Sequence, residues 1–369
     1  MKRAAAAAIS LMTGLAMLTG CSRAEVEETI QPLVADAIEE SDSEAEAVKE
    51  EDESPLIPEI DTDIKIHAGS RIAVVSKCVK GEYWKMVKKG MEDAVKEINK
   101  AYGYKKDDQI TMTFEGPDNE EDVETQINTI DAVIAENPDV LCISASDMDS
   151  CEAQLEAAKE NGIPVIAFDS NVAEKKLVKA YRGTDNVQVG KMAAYQLGSV
   201  LGKMGKVAVF SAQQKTKSVQ DRVEGFMNNI GKYGDIEVVE TIYSDQVDDM
   251  EASMKEVLEK YPTLDGVFCT NADITEMYLN LEKSDEHDAP ALVGVDVTTK
   301  QQEAIRNGEE IGCVSQQPYA MGYQTIWAAV ETTAPKKSVV IEKNVLSNPA
   351  WIDADCLDDP DYSGYLYTE

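Results

Sequence analysis

From Arg71 onward the chain alternates short apolar runs with longer stretches of helical period, and few folds accommodate that order. Five runs end on polar side chains: Ile72-Ala73-Val74-Val75-Ser76, Val140-Leu141-Cys142-Ile143-Ser144, Pro164-Val165-Ile166-Ala167-Phe168-Asp169, Gly266-Val267-Phe268-Cys269-Thr270-Asn271 and Ala291-Leu292-Val293-Gly294-Val295-Asp296. A short β-branched run without apolar–polar alternation suits a strand buried on both faces, as in a parallel sheet covered by helices. Helical spacing marks the segment 83–102, with Met86, Val87, Met91, Ala94, Val95 and Ile98, and the segment 121–136, with Val123, Ile127, Ile130 and Ile134. Further helices are predicted over 151–160, 186–204, 218–233, 250–261, 299–307 and 321–332, with another running to 283. Further strands are predicted over 108–114, 206–210, 236–243 and 311–315. Strict alternation implies parallel sheets with right-handed crossovers. So many units in roughly 300 residues fit two similar lobes, each a parallel sheet flanked by helices, better than one very wide sheet. The expected fold class is therefore α/β.

In open α/β sheets, ligands bind outside the carboxyl ends of the strands. Asp169, Asn271 and Asp296 stand at such ends and are candidates for holding a polar small molecule. Asp296 also reads as a helix N-cap ahead of the segment at 299. Ser76 and Ser144 are assigned loop or capping roles.

The first twenty residues stand apart. Lys2 and Arg3 precede an apolar stretch, 4–18, that is too short to span a bilayer, so 1–20 reads as a secretory signal. Leu18-Thr19-Gly20-Cys21 resembles the bacterial lipobox, which implies lipidation at Cys21 and a mature protein held to the extracytoplasmic face of the cell membrane by lipid alone. Residues 22–69 hold sixteen Asp or Glu against Arg23, Lys49 and Lys65, thirteen of the thirty-four net negative charges. Such a composition marks a solvated tether, here 21–69, with a reach of about 40 Å.

Composition also excludes functions. A net charge of −34 argues against nucleic acid and anionic lipid surfaces, whose phosphates need clustered Lys and Arg. The six cysteines after Cys21 match neither a CxxC pair nor a zinc site, and Cys142 and Cys269 sit inside apolar runs as small core residues. Only His67 and His287 are available, and no phosphate loop, dinucleotide fingerprint or nucleophile elbow occurs, so catalysis has little to build on. No metal and no cofactor are expected.

Seven stretches in order carry a resemblance: Tyr83-Trp84 ahead of Lys88-Lys89-Gly90; Ile163-Pro164-Val165-Ile166-Ala167-Phe168-Asp169; Gly183-Thr184-Asp185-Asn186 with Gly190; Arg222-Val223-Glu224-Gly225-Phe226; Phe268-Cys269-Thr270-Asn271; Gly294-Val295-Asp296; and Ser315-Gln316-Gln317-Pro318. Together they resemble the type 1 periplasmic binding proteins, the ribose-type solute-binding proteins of sugar ABC importers, over residues 71–345. The resemblance implies two lobes joined by a three-strand hinge that close over a ligand. The first lobe would be 71–184 with 317–345, and the second 185–316 with 346–369. It further implies that Asp169, Arg222, Asn271, Asp296 and Gln316 line the cleft. Paired Asp acceptors with Arg and Asn donors suit vicinal hydroxyls. Trp84 and Tyr83 offer aromatic faces to the C–H side of a sugar ring.

Departures bear on the ligand. Ser170 stands where ribose-type relatives carry an Arg, and the second-lobe aromatic that those relatives carry has no counterpart at Asp245-Gln246. Lys77 or Lys80 offers charge in exchange, which brings an acidic or modified sugar within range. The expected function is capture of a sugar or sugar-like polyol by a monomeric lipoprotein that delivers it to an ABC permease. The alternatives are a same-fold sensor serving a chemoreceptor or histidine kinase, and an enzyme of unknown reaction. A DNA-binding regulator is excluded because an export signal stands where a helix-turn-helix would.

Overall fold

A computed structural model describes residues 57–281, 289–335 and 339–367. The expected signal segment, the lipidation site Cys21, most of the acidic tether and His287 lie outside the described residues.

The five apolar runs form β1 (Arg71–Val75), β3 (Val140–Ile143), β4 (Val165–Phe168), β8 (Gly266–Cys269) and β9 (Ala291–Val295), buried throughout except at two first residues. With β2 (Thr111–Glu115), β5 (Ala180–Thr184) and β11 (Asn344–Ser347), the first three make a sheet in the order β11-β5-β4-β3-β1-β2, parallel throughout. With β6 (Met204–Ser211), β7 (Asp235–Tyr243), β10 (Gly312–Ser315) and β12 (Ala350–Ile352), the other two make a second sheet, β12-β10-β9-β8-β6-β7. Only its edge strand β12 runs antiparallel. The two orders match strand for strand, differing only in the direction of the edge strands β11 and β12; β4 corresponds to β9.

Nine helices cover the faces among the described residues: α1 (Glu82–Tyr102), α2 (Val123–Ala135), α3 (Glu152–Glu160), α4 (Asn186–Val200), α5 (Lys217–Ile230), α6 (Met250–Lys260), α7 (Ala272–Leu279), α8 (Thr299–Asn307) and α9 (Pro318–Glu331). In α1, Val87, Met91, Ala94 and Ile98 are fully buried at helical spacing, and Gly103 closes the helix in the left-handed conformation, φ 68°. Proline at N1 of α9 suits its missing N–H, which is why that helix begins three residues before the predicted 321. The helix expected to reach 283 ends at Leu279.

Each lobe brings one helix pair together across glycines. A Cβ on Gly90 would stand 2.0 Å from the Tyr319 carbonyl oxygen, and one on Gly322 would stand 2.1 Å from that of Val87, so α1 and α9 pack backbone to backbone. In the second lobe a Cβ on Gly190 would stand 1.9 Å from the Arg222 carbonyl oxygen and one on Gly225 2.1 Å from that of Val187, so α4 and α5 are joined the same way. Three glycines of the resembling stretches are thus packing requirements.

The chain changes sheet three times, after Thr184, between Ser315 and Pro318, and between Ser347 and Ala350. The last crossing lies beyond the expected 345 because β11 stays paired as far as Ser347 opposite Thr184. The tether also ends earlier than 69. Ile66 is buried in the first-lobe core with Ile60 and Ile64 packed beside it, and Tyr102 donates to the carbonyls of Asp61 and Ile64 at 2.9 and 2.8 Å. Those isoleucines were hidden by their acidic neighbours.

Candidate ligand-binding cleft

The carboxyl ends of the two sheets border a cavity of about 270 Å³, lined by all seven candidates: Tyr83, Trp84, Asp169, Arg222, Asn271, Asp296 and Gln316. Asp169 follows β4 and Asp296 follows β9, so the two acids occupy equivalent places in the twin lobes. Both take the left-handed conformation, φ 54° and 76°, which costs a non-glycine residue roughly 1–2 kcal/mol and turns each carboxylate back across its strand ends.

Each acid is held by three donors and keeps acceptor capacity to spare. Asp169 Oδ1 accepts from the Tyr83 hydroxyl at 2.7 Å; its Oδ2 accepts from Ser144 Oγ at 2.8 Å and pairs with Lys77 Nζ at 3.1 Å. Asp296 Oδ1 accepts from Gln316 Nε2 at 2.7 Å and the Tyr367 hydroxyl at 3.0 Å, and Oδ2 from the Ala272 amide at 3.0 Å. The N-cap ahead of α8 is Thr298, in a capping box with Gln301, so Asp296 is not spent on that helix.

Arg222 and Asn271 are positioned with a donor to spare. Arg222, on α5, gives Nε to Asn186 Oδ1 and Nη1 to the Thr270 carbonyl, both at 2.8 Å. Asn271 caps α7 by accepting the Ile274 amide at 3.1 Å. With 4% and 9% exposure, both are buried, yet Arg222 Nη2 and Asn271 Nδ2 have no hydrogen-bond partner among the described residues. Trp84 donates Nε1 to Glu120 at 2.7 Å and stands edge-on to Tyr83 and Phe168.

Several site residues escaped the sequence reading. Ser144, assigned a loop or capping role, is instead a donor to Asp169. Lys77 was noted as a charge, but its partners were not: it bridges Asp169 and, at 3.5 Å, Glu120. Burial alone would strip Lys77 of its proton, but the two carboxylates outweigh it and hold the amine above its ordinary value. Burial likewise works against ionisation of Asp169, and Lys77, Tyr83, Ser144 and Arg222 together leave it below the usual carboxylate range. Tyr367 arrives from the last strip of chain and packs its ring 5.9 Å from that of Tyr83. Across the cavity mouth, Asp273 of α7 is exposed by area yet is pushed up to about 7, first by burial, then by Glu120, Glu276 and Asp296. Among the described residues no group of His, Cys, Asp and Glu is placed to hold a metal ion, and all six cysteines are free thiols.

The lobes also touch directly. Thr216 Oγ1 donates to the Ser146 carbonyl at 2.6 Å, Gln213 Nε2 to the carbonyls of Ser146 and Glu120 at 3.1 Å, and the Thr299 amide to Glu82 at 2.8 Å. Ser170, where the resembling proteins carry Arg, accepts the Ser218 amide at 3.4 Å.

Two α/β lobes of matching strand order, with residues at their polar strand ends lining one cavity, define a bilobal binding protein. The chain belongs to the family described as "Periplasmic binding protein domain", whose model matches residues 72–337. It is 26% identical over 220 residues to the ribose import binding protein of Bacillus subtilis, covering 60% of this chain and 71% of that protein. It is 25% identical over 211 residues to a xylitol-binding protein of Mycolicibacterium smegmatis, covering 57% and 60% respectively. Among solved structures, an ABC transporter solute-binding protein from Agrobacterium vitis with bound D-fucose aligns at a TM-score of 0.73 and 26% identity, over 81% of this chain and all of that one. A second from the same organism, bound with α-D-tagatopyranose, aligns at 0.74 and 24%.

Proposed function

We propose that this protein captures a sugar or sugar-like polyol between its lobes and delivers it to an ABC importer. The observation that carries this is the convergence of Asp169, Arg222, Asn271 and Asp296 from both lobes on one small cavity, with Arg222 Nη2 and Asn271 Nδ2 still lacking partners. A ligand that covers these donors without pairing them would incur about 1–3 kcal/mol, so one that presents an acceptor to each gains affinity and specificity together. At about 270 Å³ the cavity falls at the small end of ligand sites, the scale of one monosaccharide rather than an oligosaccharide. In this reading Cys21 carries the lipid anchor, the acidic segment after it is the tether, and a monomer docks on the permease from the extracytoplasmic face.

The test is thermal denaturation against sugars, polyols, amino acids and nucleosides. A true ligand at 100 times its dissociation constant stabilises the protein by about 2.7 kcal/mol. Stabilisation by an amino acid or nucleoside, with no response to any carbohydrate or polyol, would refute the assignment.

A further inference from the structure

The cleft holds more acid than its own bases can balance. Seven carboxylates line it against Lys77, Lys80 and Arg222. Lys77 is shared between Asp169 and Glu120, Lys80 pairs with Asp118 at 2.6 Å, and Arg222 is committed to Asn186 and Thr270. Glu82, Asp273, Glu276 and Asp296 therefore have no ion pair among the described residues. Glu82 and Glu276 each accept a hydrogen bond, from Thr299 and Thr298, and Asp296 accepts three, whereas Asp273 has no hydrogen bond at all among the described residues. Lys300, a base outside the cleft lining, reaches the Glu276 carbonyl at 3.2 Å and Asn280 just past the end of α7.

Asp273 and Glu276 are three residues apart on α7, hence on one face, and both line the cavity. The raised affinity of Asp273 for its proton comes first from burial and then from the like charges of Glu120, Glu276 and Asp296. The donors left over, Arg222 Nη2 and Asn271 Nδ2, belong to residues that line the same cavity and suit acceptors such as hydroxyls. A ligand that satisfies both ends carries hydroxyls at one and a donor-only positive charge at the other. A sugar acid fits less well: Lys77 and Lys80 are already paired, so its carboxylate finds only Arg222 without a carboxylate partner, beside four acids that have no ion pair among the described residues.

Resting on the carbohydrate reading above, we propose that the ligand is an amino sugar or amino polyol whose protonated amine lies against Asp273 and Glu276. An ammonium offers three donors and no acceptor, the complement of two carboxylates.

Isothermal titration calorimetry of the full protein at pH 7.5 and low ionic strength tests this with matched pairs: D-glucosamine, D-galactosamine, D-mannosamine and 1-amino-1-deoxy-D-glucitol against D-glucose, D-galactose, D-mannose and D-glucitol. At least one amine is expected to bind tenfold or more tightly than its hydroxyl counterpart, a difference of about 1.4 kcal/mol. That preference is expected to shrink at least threefold in Asp273→Asn and in Glu276→Gln, and to weaken with added salt. Equal or tighter binding of the neutral partners overturns the charge assignment and leaves the carbohydrate reading standing. A preference that survives in both variants overturns the placement on α7. Silence of both series overturns the two readings together.

Discussion

Asp169→Asn removes one charge from the centre of the cleft and exchanges one carboxylate oxygen for an amide nitrogen, and its cost can be worked from the contacts. The carboxylate serves Tyr83 through one oxygen, and Ser144 and Lys77 through the other. Asparagine keeps an acceptor for Tyr83, and the Ser144 hydroxyl can turn to accept from the new amide. Lys77 cannot turn: at 3.1 Å it faces an NH₂ group in place of an oxygen, with only Glu120 at 3.5 Å to balance it. Breaking a buried ion pair on one side costs about 3–5 kcal/mol, and the retained Glu120 sets the expectation near the lower figure. Asparagine tolerates the left-handed backbone well, so φ adds little. Urea denaturation of the ligand-free protein measures the loss, and Lys77→Met in the same chain, which removes the orphaned ammonium, should restore at least half of it. The pH dependence has a definite sign. The folded state lowers the pKa of Asp169, so its stabilisation is present above the unfolded value of about 3.9 and disappears as pH falls below it. Wild type should therefore lose an acid-sensitive increment that Asp169→Asn lacks. A loss below about 1 kcal/mol, or no rescue by Lys77→Met, would refute the idea that the Lys77–Asp169 pair organises this end of the cleft.

Two further expectations follow from the geometry. Gly190→Ala would push a methyl to 1.9 Å from the Arg222 carbonyl, forcing α4 and α5 apart; it should cost about 1–3 kcal/mol and weaken ligand binding in calorimetry, whereas Gly234→Ala, with open space around it, should do neither. Asp273 has its pKa raised to about 7, so stability is expected to rise as pH falls from 8 to 5, and Asp273→Asn should flatten that stretch of a melting-temperature profile.

The fold was legible wherever burial was two-sided. β3, β4 and β8 have no exposed residue, and an uninterrupted apolar run is then the only sequence that fits. β5 escaped because Arg182 stands in its middle. That guanidinium is buried by donating to the carbonyls of Tyr181 and Glu342, a partner 160 residues away. β11 and β12 escaped because four and three residues carry no period. In the cleft, the strand-end rule pointed to Asp169, Asn271 and Asp296, since topology alone brings those ends together. Tyr367 was out of reach: it is joined to Asp296 across 71 residues, and nothing in the tail's composition marks that docking. Ser144 was undervalued for a related reason, because a serine at a strand end caps or donates according to what the neighbouring strand presents.

The direct bonds between the lobes give the molecule a second means of setting affinity. Thr216, Gln213 and Thr299 bind carbonyl or carboxylate groups of the opposite lobe with protein atoms only. They favour the closed arrangement whichever solute is taken up, and so set the fraction of molecules in it. The apparent dissociation constant is the intrinsic one divided by that fraction. Thr216→Val removes a bond to Ser146, and neither residue lines the cavity, so it is expected to weaken every ligand by the same factor and leave selectivity unchanged. Related chains could thus retune their working concentration range at the rim while the cleft keeps its choice of solute.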